Sequence, residues 1–505
     1  LGLVETFWIH SVVAEVYSFS LFLASAILFL SVKLVNRWSK RRWWLLVLLM
    51  GTSVQHHRIL LLLVPSVLLL SAPVLLKNVS DWPKFSSRSL LLFVLPFVTY
   101  FYLPMRALQG SSWVYSRPDT WDGFWAEFSG REVTPDVLEL PGDLGGWFSN
   151  LGFLVDNLKQ QLPMVVLLAG VVGLIGLTWR RDRWLGLACL MGTGAFMVFV
   201  IVFPAAVWAP AVLMPSVLLL MIGLAYLLHR FNLMWGRLQW MTLGSLLLFS
   251  FWLFRTNLPF VQDLVDDSRG RQVIETLAPL QDVDLPGGRD IVALPWGGTF
   301  FAAGFGLYVI GELDGFELFS HSRDFRSVVL QEGKILTLAY NLGNWPLDWW
   351  TELLGEAHYS SAAPGIVMVS KDVLYKDIPE QVGFDLGNGV RVRSANLVWK
   401  SKDKLWLTVY WEATRDIKVG HSVAVHLVSR DPPTDAQDVL LQADALHPVS
   451  GWYPIDLWAV GEVVRDDYIL PVPPGTDPTA LRVAMYRVDE DGSFVNTNWL
   501  SLALP

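Results

Sequence analysis

Ionisable side chains interrupt the first apolar segment of the chain, and they are the first candidates for chemistry. The stretch FWIHSVVAEVYSFSLFLASAILFL, residues 7 to 30, carries His10 and Glu15 near its start. An ionisable group within a membrane span is costly, so it normally faces a bundle interior or a wet cavity and has a partner. Glu15 therefore either stabilises the packing of the helix through a hydrogen bond or belongs to a functional site. In one continuous helix, the face that carries Glu15 also carries Trp8, Ser11, Ser18 and Phe22.

A second group of candidates lies at the predicted outer boundary of the membrane. His56 and His57 precede Arg58, and Arg106 follows the apolar run that ends in LPM. Cationic and hydrogen-bonding groups at this depth suit a lipid phosphate or pyrophosphate, although arginines there also reach the headgroups without any specific ligand. A metal site formed by His10, His56 and His57 is a weaker alternative, because no spacing brings these residues together.

The composition indicates the elements that must position these residues. The chain has 505 residues, of which 53% are hydrophobic and 17% charged, and its mean hydropathy is +0.42, which predicts a membrane protein. Residues 1 to 258 carry a net charge of +7 and residues 259 to 505 a net charge of −15, for a total of −8. This balance does not favour nucleic-acid binding. The single cysteine, Cys189, excludes a disulfide framework and a cysteine-based metal site.

Apolar runs and basic loops predict the topology. In addition to five runs with the length of a span, a further run, 210 to 228, is interrupted by Pro215. Residues 43 to 76 predict two short helices that meet at Gln55 to Arg58. The basic clusters lie at 33–42, 77–88, 180–183 and 230–237. All four lie on the same side of the membrane if the loop 106 to 161 and everything after Arg255 are extracytoplasmic. In that loop, Trp121 to Phe128 predicts an interfacial helix. Five runs have the length of a span, at about 11 to 33, 88 to 105, 163 to 179, 185 to 203 and 238 to 255.

The second half predicts soluble structure of two kinds. Residues 259 to 380 alternate helix-like and strand-like stretches, which predicts a small extracytoplasmic α/β domain. Residues 381 to 505 contain short strands separated by turns, which predicts an antiparallel β-sandwich. The fold class is thus an all-α membrane bundle in residues 1 to 258, followed by these two domains. Tryptophans in the sandwich either pack its core or form a sugar-binding face, namely Trp399, Trp406, Trp411, Trp452 and Trp458.

Three ordered motifs carry a family resemblance over about residues 5 to 135. FWIHSVVAEVYSF, GTSVQHHRILLLLVPSVLLL and YFYLPMRA, followed by RPDTWDGFWAEFSGRE, resemble the protein O-mannosyltransferase-like family of polytopic membrane proteins, formerly a domain of unknown function. This family is similar to the GT-C glycosyltransferases. Its W-x-x-x-V-x-A-E-V-Y motif falls on Trp8 to Tyr17. Its G-x-S-x-x-N-H motif falls on Gly51 to His57, with His56 where asparagine is usual, and its L-P-x-R motif falls on Leu103 to Arg106. Its Trp-Gly-Asp-Pro stretch is replaced here by residues 115 to 118.

The resemblance implies an integral membrane hexosyltransferase, in the manner of an O-mannosyltransferase, in the plasma (inner) membrane of a bacterial cell envelope. The implied donor is a polyprenyl-phosphate sugar and the acceptor an extracytoplasmic protein or glycan hydroxyl. Arg106, His57 and His56 would bind the donor phosphate, whereas His10, Glu15 and Tyr17 would lie on the acceptor side. The resemblance implies no definite cofactor, and it leaves open whether a divalent metal ion is required.

The family's acidic loop motif would precede Leu1, so the resemblance implies an N-terminally truncated chain. The expected catalytic acid is then absent, Glu15 is the substitute candidate, and the activity of the fragment alone stays open. A rival interpretation is a non-catalytic membrane-anchored envelope protein that binds a glycan or a partner through its soluble domains. A transporter ranks lowest, because no pair of interrupted helices recurs in repeated halves.

Overall fold

The chain divides into two compact units, Leu1–Asp267 (unit 1) and Ser268–Pro505 (unit 2). The computed structural model describes residues 1–13, 16–110, 114, 117–130, 140–180, 182–204, 209–236, 239–320, 323–489 and 491–505. Glu15, Tyr115, Ser116, Arg181 and Arg237, which the sequence analysis singled out, lie outside these residues. The predicted order of a helical N-terminal part followed by sheets is confirmed.

Unit 1 consists of helices in its described part. By length and composition, five of its described segments are apolar enough to cross a membrane: Val16–Asn36, Arg58–Asn78, Trp82–Leu108, Arg183–Val202 and Ala209–Met234. Leu144–Gln161 and Met164–Trp179 form a sixth candidate if their 99° bend lies within one span. The helix Gln239–Val265 covers the predicted span at 238 to 255 but is less apolar than these five. The remaining helices of unit 1 are Glu5–Val12, Lys40–His56 and Trp121–Ser129.

The first apolar segment is not one continuous helix, so the predicted face from Trp8 to Phe22 is wrong. The helix Glu5–Val12 ends where Val13 adopts an extended conformation, with φ −98° and ψ 139°, and a second helix begins at Val16. The local sequence explains the end of the helix. Ser11 Oγ donates a hydrogen bond to the Trp8 carbonyl, 2.6 Å away, and paired β-branched valines have low helix propensity.

The segment 43 to 76 contains the two predicted helices. Lys40–His56 ends at His57, which is extended with φ −149° and ψ 115°, and a 3-10 turn leads into Val64–Asn78. The prediction that two helices meet at Gln55 to Arg58 is therefore confirmed. In the described N-terminal part of unit 1, the backbone thus breaks after Val12 and again at His57.

The predicted break at Pro215 is wrong. The helix Ala209–Met234 continues through this residue, which is buried near the start of the helix. Packing of neighbouring helices stabilises backbone groups that a proline leaves unpaired within a membrane. Next to the proline, Ser216 Oγ donates a hydrogen bond to the Thr193 carbonyl of the adjacent helix, 3.2 Å away.

Glycines allow two helices of unit 1 to touch at the backbone. Gly170 and Gly173 of Met164–Arg180 face Gly223 of Ala209–Met234, and a Cβ atom on Gly173 would lie 1.9 Å from the Gly223 carbonyl oxygen. Small residues at such contacts are typical of helix packing in membranes, where close backbone approach supplies van der Waals attraction. This contact fixes the distance between the two helices.

We expect Gly173→Ala to destabilise unit 1 by about 3 kcal/mol, the upper end of ordinary overpacking, because the methyl group meets backbone rather than a movable side chain. The measurement is the thermal unfolding midpoint in detergent. Gly194→Ala is the matched control, because a Cβ there meets nothing within 4 Å and alanine favours the helix. Equal midpoints for the two variants would contradict the proposed contact.

Unit 2 begins with a mixed five-stranded sheet flanked by helices. Its strands are β1 (Ile291–Leu294), β2 (Glu317–Ser320), β3 (Lys334–Leu338), β4 (His358–Ala363) and β5 (Ile366–Ser370), in the order β2-β1-β3-β5-β4. Strand β1 is parallel to β2 and β3, whereas β5 is antiparallel to β3 and β4. The partly parallel sheet predicted for this region is present. Its helices are Arg269–Leu277, Gly298–Phe305, Phe325–Glu332 and Leu347–Leu354.

Two antiparallel sheets follow, and their buried side chains join one core with those of the first sheet. One sheet has the order β10-β9-β12-β13 with β14 also on β12, and the other has the order β11-β8-β7-β6. The sandwich geometry itself stays a prediction. The strands are β6 (Phe384–Asp385), β7 (Val390–Ser401), β8 (Lys404–Ala413), β9 (Ser422–Val428), β10 (Val439–Gln442), β11 (Val463–Pro471), β12 (Ala480–Val488), β13 (Phe494–Asn496) and β14 (Leu500–Ala503).

The five tryptophans of these sheets differ in how deeply they are buried. Trp406, Trp411 and Trp458 are buried in the core, whereas Trp399 and Trp452 are partly buried. The Trp406 indole donates a hydrogen bond to Asp467 (2.9 Å), and that of Trp411 donates to Asp466 (3.3 Å). At least three of the five therefore pack the core rather than present a binding face.

Candidate functional site

The two helix breaks of unit 1 meet. His56, at the end of one helix, places Nε2 3.2 Å from the carbonyl oxygen of Val16, the first residue of the helix after the other break. With the proton on Nε2, the imidazole donates to this carbonyl. The ring also packs edge-on against Phe19, with 4.9 Å between centroids. The break after Val12 therefore lies beside the break at His57.

Three predicted site residues form a row of rings at this junction. The Tyr17 ring lies between two imidazoles, 4.9 Å from that of His10 and 5.2 Å from that of His57. His10 is buried, whereas Tyr17 and His57 are half-buried. The fold thus joins residues that are as many as 47 positions apart in the chain. The sequence grouped His10, Tyr17, His56 and His57 as site residues, and the structure brings all four together.

One polar atom of this junction, His57 Nδ1, is buried and has no hydrogen-bond partner within the described residues. A buried polar atom without a partner is costly, so a ligand that donates or accepts a hydrogen bond here would gain free energy. Among the described residues, no three His, Cys, Asp or Glu side chains converge to hold a metal ion.

Residues that the sequence analysis did not single out hold the N-terminal helix in place. Gln161 Nε2 donates a hydrogen bond to Thr6 Oγ1 in a buried position, and Asn257 Nδ2 donates to the Leu3 carbonyl, 2.8 Å away. Phe254 stacks on Trp8 with 5.6 Å between ring centroids. Asparagine and glutamine occur in helices of many sequences, so nothing in the sequence pattern pointed to these contacts.

Arg58 holds the tryptophan-rich helix that the sequence predicted in the loop. This helix, Trp121–Ser129, begins after Thr120 and ends at Gly130 in the left-handed conformation, with φ +68°. Arg58 Nη2 donates to the carbonyls of Glu127 (3.1 Å) and Phe128 at its C-terminal end, where a cation is favoured. The contact brings the break at His57 and the helix to the same end of unit 1. The Arg58 guanidinium thus binds carbonyl groups of the protein itself.

Arg106 is not part of the same hydrogen-bonded group. Its side chain is exposed, and Nη1 donates to Gln109 Oε1 of the following turn, 3.1 Å away. It makes no described hydrogen bond to His56 or His57. The predicted set of phosphate-binding residues therefore includes two histidines at the junction and an arginine that the fold does not join to them directly.

A second candidate site is an open cleft of about 610 Å³ at one end of the C-terminal sheets. Amide and cationic side chains line much of it, and its described lining includes no Phe, Tyr or Trp. Arg415 Nη2 donates to the Gly387 carbonyl (3.4 Å), and Arg415 forms no ion pair within the described residues. Amides and an unpaired guanidinium can bind the hydroxyls and carboxylates of a glycan. The polar lining includes Asn388, Asn496, Thr497, Asn498 and His421.

Comparison with known proteins bears on the junction and not on the cleft. No curated protein and no solved structure matches the chain. Residues 1–78 match the family model of the protein O-mannosyl-transferase TMEM260 N-terminal domain. The matched range includes His10, Tyr17, His56 and His57, whereas Arg106 lies beyond it. The predicted family resemblance is therefore confirmed over the first 78 residues, and together with the apolar helices it supports a membrane glycosyltransferase.

Proposed function

We propose that the protein is a GT-C-type membrane glycosyltransferase that transfers a sugar, in the manner of an O-mannosyltransferase, from a polyprenyl-phosphate donor to an extracytoplasmic hydroxyl. One observation carries the proposal. The family match covers residues 1–78, and within this range two interrupted helices meet at a junction that holds a buried histidine nitrogen without a described partner. Interrupted helices within a membrane are tolerated where they line a cavity or a ligand site.

The proposed reaction needs two contributions from the protein, a group that takes a proton and groups that stabilise the leaving phosphate. The acceptor oxygen attacks the anomeric carbon as the bond from that carbon to the phosphate oxygen breaks, and the lipid phosphate leaves with the electron pair. An acidic side chain takes the proton of the acceptor hydroxyl, and Glu15 is the candidate for this acid or for the acceptor side. Hydrogen-bond donors stabilise the charge on the departing phosphate, a role proposed for His57, His56 and Arg106.

The proposed location follows from the basic clusters. A multi-pass protein of the plasma membrane, with unit 2 on the extracytoplasmic side, would present the junction to donors and acceptors outside the cytoplasm. The lipid tail of a polyprenyl phosphate would remain in the bilayer beside the exposed helix that precedes Arg106.

Donor binding tests the proposal independently of the acid. We expect the purified protein to bind polyprenyl-phosphate mannose and Arg106→Ala to weaken binding about tenfold to a hundredfold, as one charge-assisted hydrogen bond contributes about 1.5–3 kcal/mol. His57→Ala should also weaken it. The measurement is native mass spectrometry in detergent, with the unphosphorylated polyprenol as the comparison ligand.

Arg88→Ala is the matched control, because this exposed arginine belongs to the basic cluster predicted on the opposite side of the membrane. Its affinity should equal that of the unchanged protein. Equal binding of the phosphorylated donor and the free polyprenol would overturn the proposed donor. Unchanged binding by Arg106→Ala alone would remove Arg106 from the site but leave the histidines in it.

The cleft favours a second candidate function, a membrane-anchored protein that binds a glycan through unit 2. Its amide and guanidinium lining suits an oligosaccharide better than an apolar ligand. Arg415→Ala should weaken retention on immobilised acidic oligosaccharides, whereas Arg326→Ala, an exposed arginine on the helix Phe325–Glu332, should not. Glycan binding without any binding of polyprenyl-phosphate mannose would favour this second function.

A further inference from the structure

An apolar helix face on unit 2 remains exposed to solvent. The helix Gly298–Phe305 continues as a π turn to Ile310, and Phe301, Phe305 and Val309 lie on one side of it, four residues apart. Their exposed fractions are 44%, 47% and 62%. We call this side, together with Trp296 and Ile310, the apolar face. The opposite side packs into unit 2 through residues such as Phe300 and Ala303.

The apolar face contains no charge that would direct it toward a charged partner. Residues 291 to 311 include no Asp, Glu, Lys or Arg. Exposed aromatic and aliphatic residues grouped in this way mark an interaction surface, and Trp and Phe beside aliphatic residues are typical of a helix that lies in the interface of a bilayer. The net charge of −15 in residues 259 to 505 disfavours anionic lipid, so a neutral lipid surface is the better match.

Few residues connect the last helix of unit 1 to the helix of unit 2 that packs against the apolar face. The helix Gln239–Val265 has 27 residues and is about 40 Å long, whereas the hydrocarbon core is about 30 Å thick. Only residues 266 to 268 separate it from the helix Arg269–Leu277, and three residues span at most about 11 Å. Arg269–Leu277 packs against Gly298–Phe305, and a Cβ on Gly270 would lie 3.7 Å from that of Ala302.

We propose that the apolar face inserts into the headgroup region of the bilayer that unit 1 spans, on the side where Gln239–Val265 ends. Insertion would remove the aromatic and aliphatic side chains from water without desolvating any charged group. It would also limit the movement of unit 2 about its three-residue link. The inference does not depend on the proposed reaction, because a binding protein with the same anchor would dock in the same way.

The single cysteine makes a direct test possible. Cys189 is buried in unit 1, and Cys189→Ser provides a background into which Phe305→Cys, Val309→Cys or Lys402→Cys is introduced. Lys402 is an exposed residue in the turn between β7 and β8 and serves as the matched control. Each cysteine in the full protein is labelled with the fluorophore NBD. The protein is then placed in phosphatidylcholine nanodiscs with or without a lipid that carries a doxyl quencher near the headgroup.

We expect NBD at positions 305 and 309 to emit at shorter wavelength than at position 402 and to be quenched at least about twofold more by the doxyl lipid. High salt should not reduce this quenching, because the insertion is apolar. Quenching at 305 and 309 no greater than at 402 would overturn the proposal. A short-wavelength emission without lipid quenching would also overturn it, since a protein surface rather than lipid would then cover the face.

Discussion

Asp467→Ala is expected to destabilise unit 2 by about 3–5 kcal/mol, the usual cost of removing one partner from a buried ion pair. Asp467 is buried at the centre of β11, and its Oδ2 lies 2.9 Å from Nε of Arg465, which is also buried. Asp467 Oδ1 further accepts hydrogen bonds from the Trp406 indole and the Thr408 hydroxyl. Alanine would leave the guanidinium without its partner and two donors unpaired in the core.

Urea unfolding of the purified protein in detergent, followed by tryptophan fluorescence, would measure this effect. Asp489→Ala is the matched control, because Asp489 pairs with Arg487 at the surface of the same unit, where ion pairs contribute little. Its unfolding midpoint should stay close to that of the unchanged protein. A similar small shift for Asp467→Ala would mean that the ion pair of β11 is not important for the stability of unit 2.

Asp466, the neighbouring carboxyl group, is expected to lower the free energy of unfolding of unit 2 by roughly 4 kcal/mol between about pH 4 and pH 7. Complete burial raises the pKa of Asp466 to about 7, although Tyr468 and Trp411 donate hydrogen bonds to it. The folded state therefore keeps a proton on Asp466 up to about pH 7, whereas the unfolded chain releases it near pH 4. Since the unfolded state binds fewer protons across this range, stability decreases as the pH rises.

His358 acts in the same direction at somewhat higher pH. Its Nδ1 lies 2.9 Å from Oε1 of the buried Glu462, and this hydrogen bond raises the pKa of His358. The stability that the charged imidazole contributes is fully present below the unfolded pKa of about 6.5 and is lost as the pH rises through the folded pKa.

Urea unfolding repeated from pH 4 to pH 8 would measure both effects. Asp466→Asn should flatten the acid part of the profile, even if it also lowers stability at every pH. His358→Gln should flatten only the part above about pH 6.5. A profile for Asp466→Asn with the same slope as that of the unchanged protein would show that Asp466 is not the group that titrates.

Regular patterns in the sequence were sufficient to predict many elements. The paired helices around His57, the helix at Trp121, the partly parallel sheet of β1 to β3 and the strands β8 and β12 all follow from hydrophobic period and turn residues. The 12-residue strand β7 is less evident from the sequence, because charged and small residues are mixed with its apolar residues. Its pairing with β8 stabilises it.

Errors arose where tertiary contacts outweighed local preference. Pro215 predicts a break, but neighbouring helices support the helix Ala209–Met234 through it. The apolar run at residues 7 to 30 predicts one helix, but the first helix ends at Val12, and Gln161 and Asn257 hold this short N-terminal helix in place. Hydrophobic period reports which face of a segment is apolar, and it contains no information on such distant polar contacts.

The sequence alone was enough to indicate a membrane protein, its likeness to an O-mannosyltransferase family and the residue types of the candidate site, because composition and short motifs are local properties. Only the tertiary structure placed Tyr17 between His10 and His57 and joined His56 to Val16. It also separated the roles of two arginines, since Arg58 binds the end of the helix Trp121–Ser129 whereas Arg106 is exposed. Spacing along a chain does not specify how broken helices meet, because that depends on packing of side chains far apart in sequence.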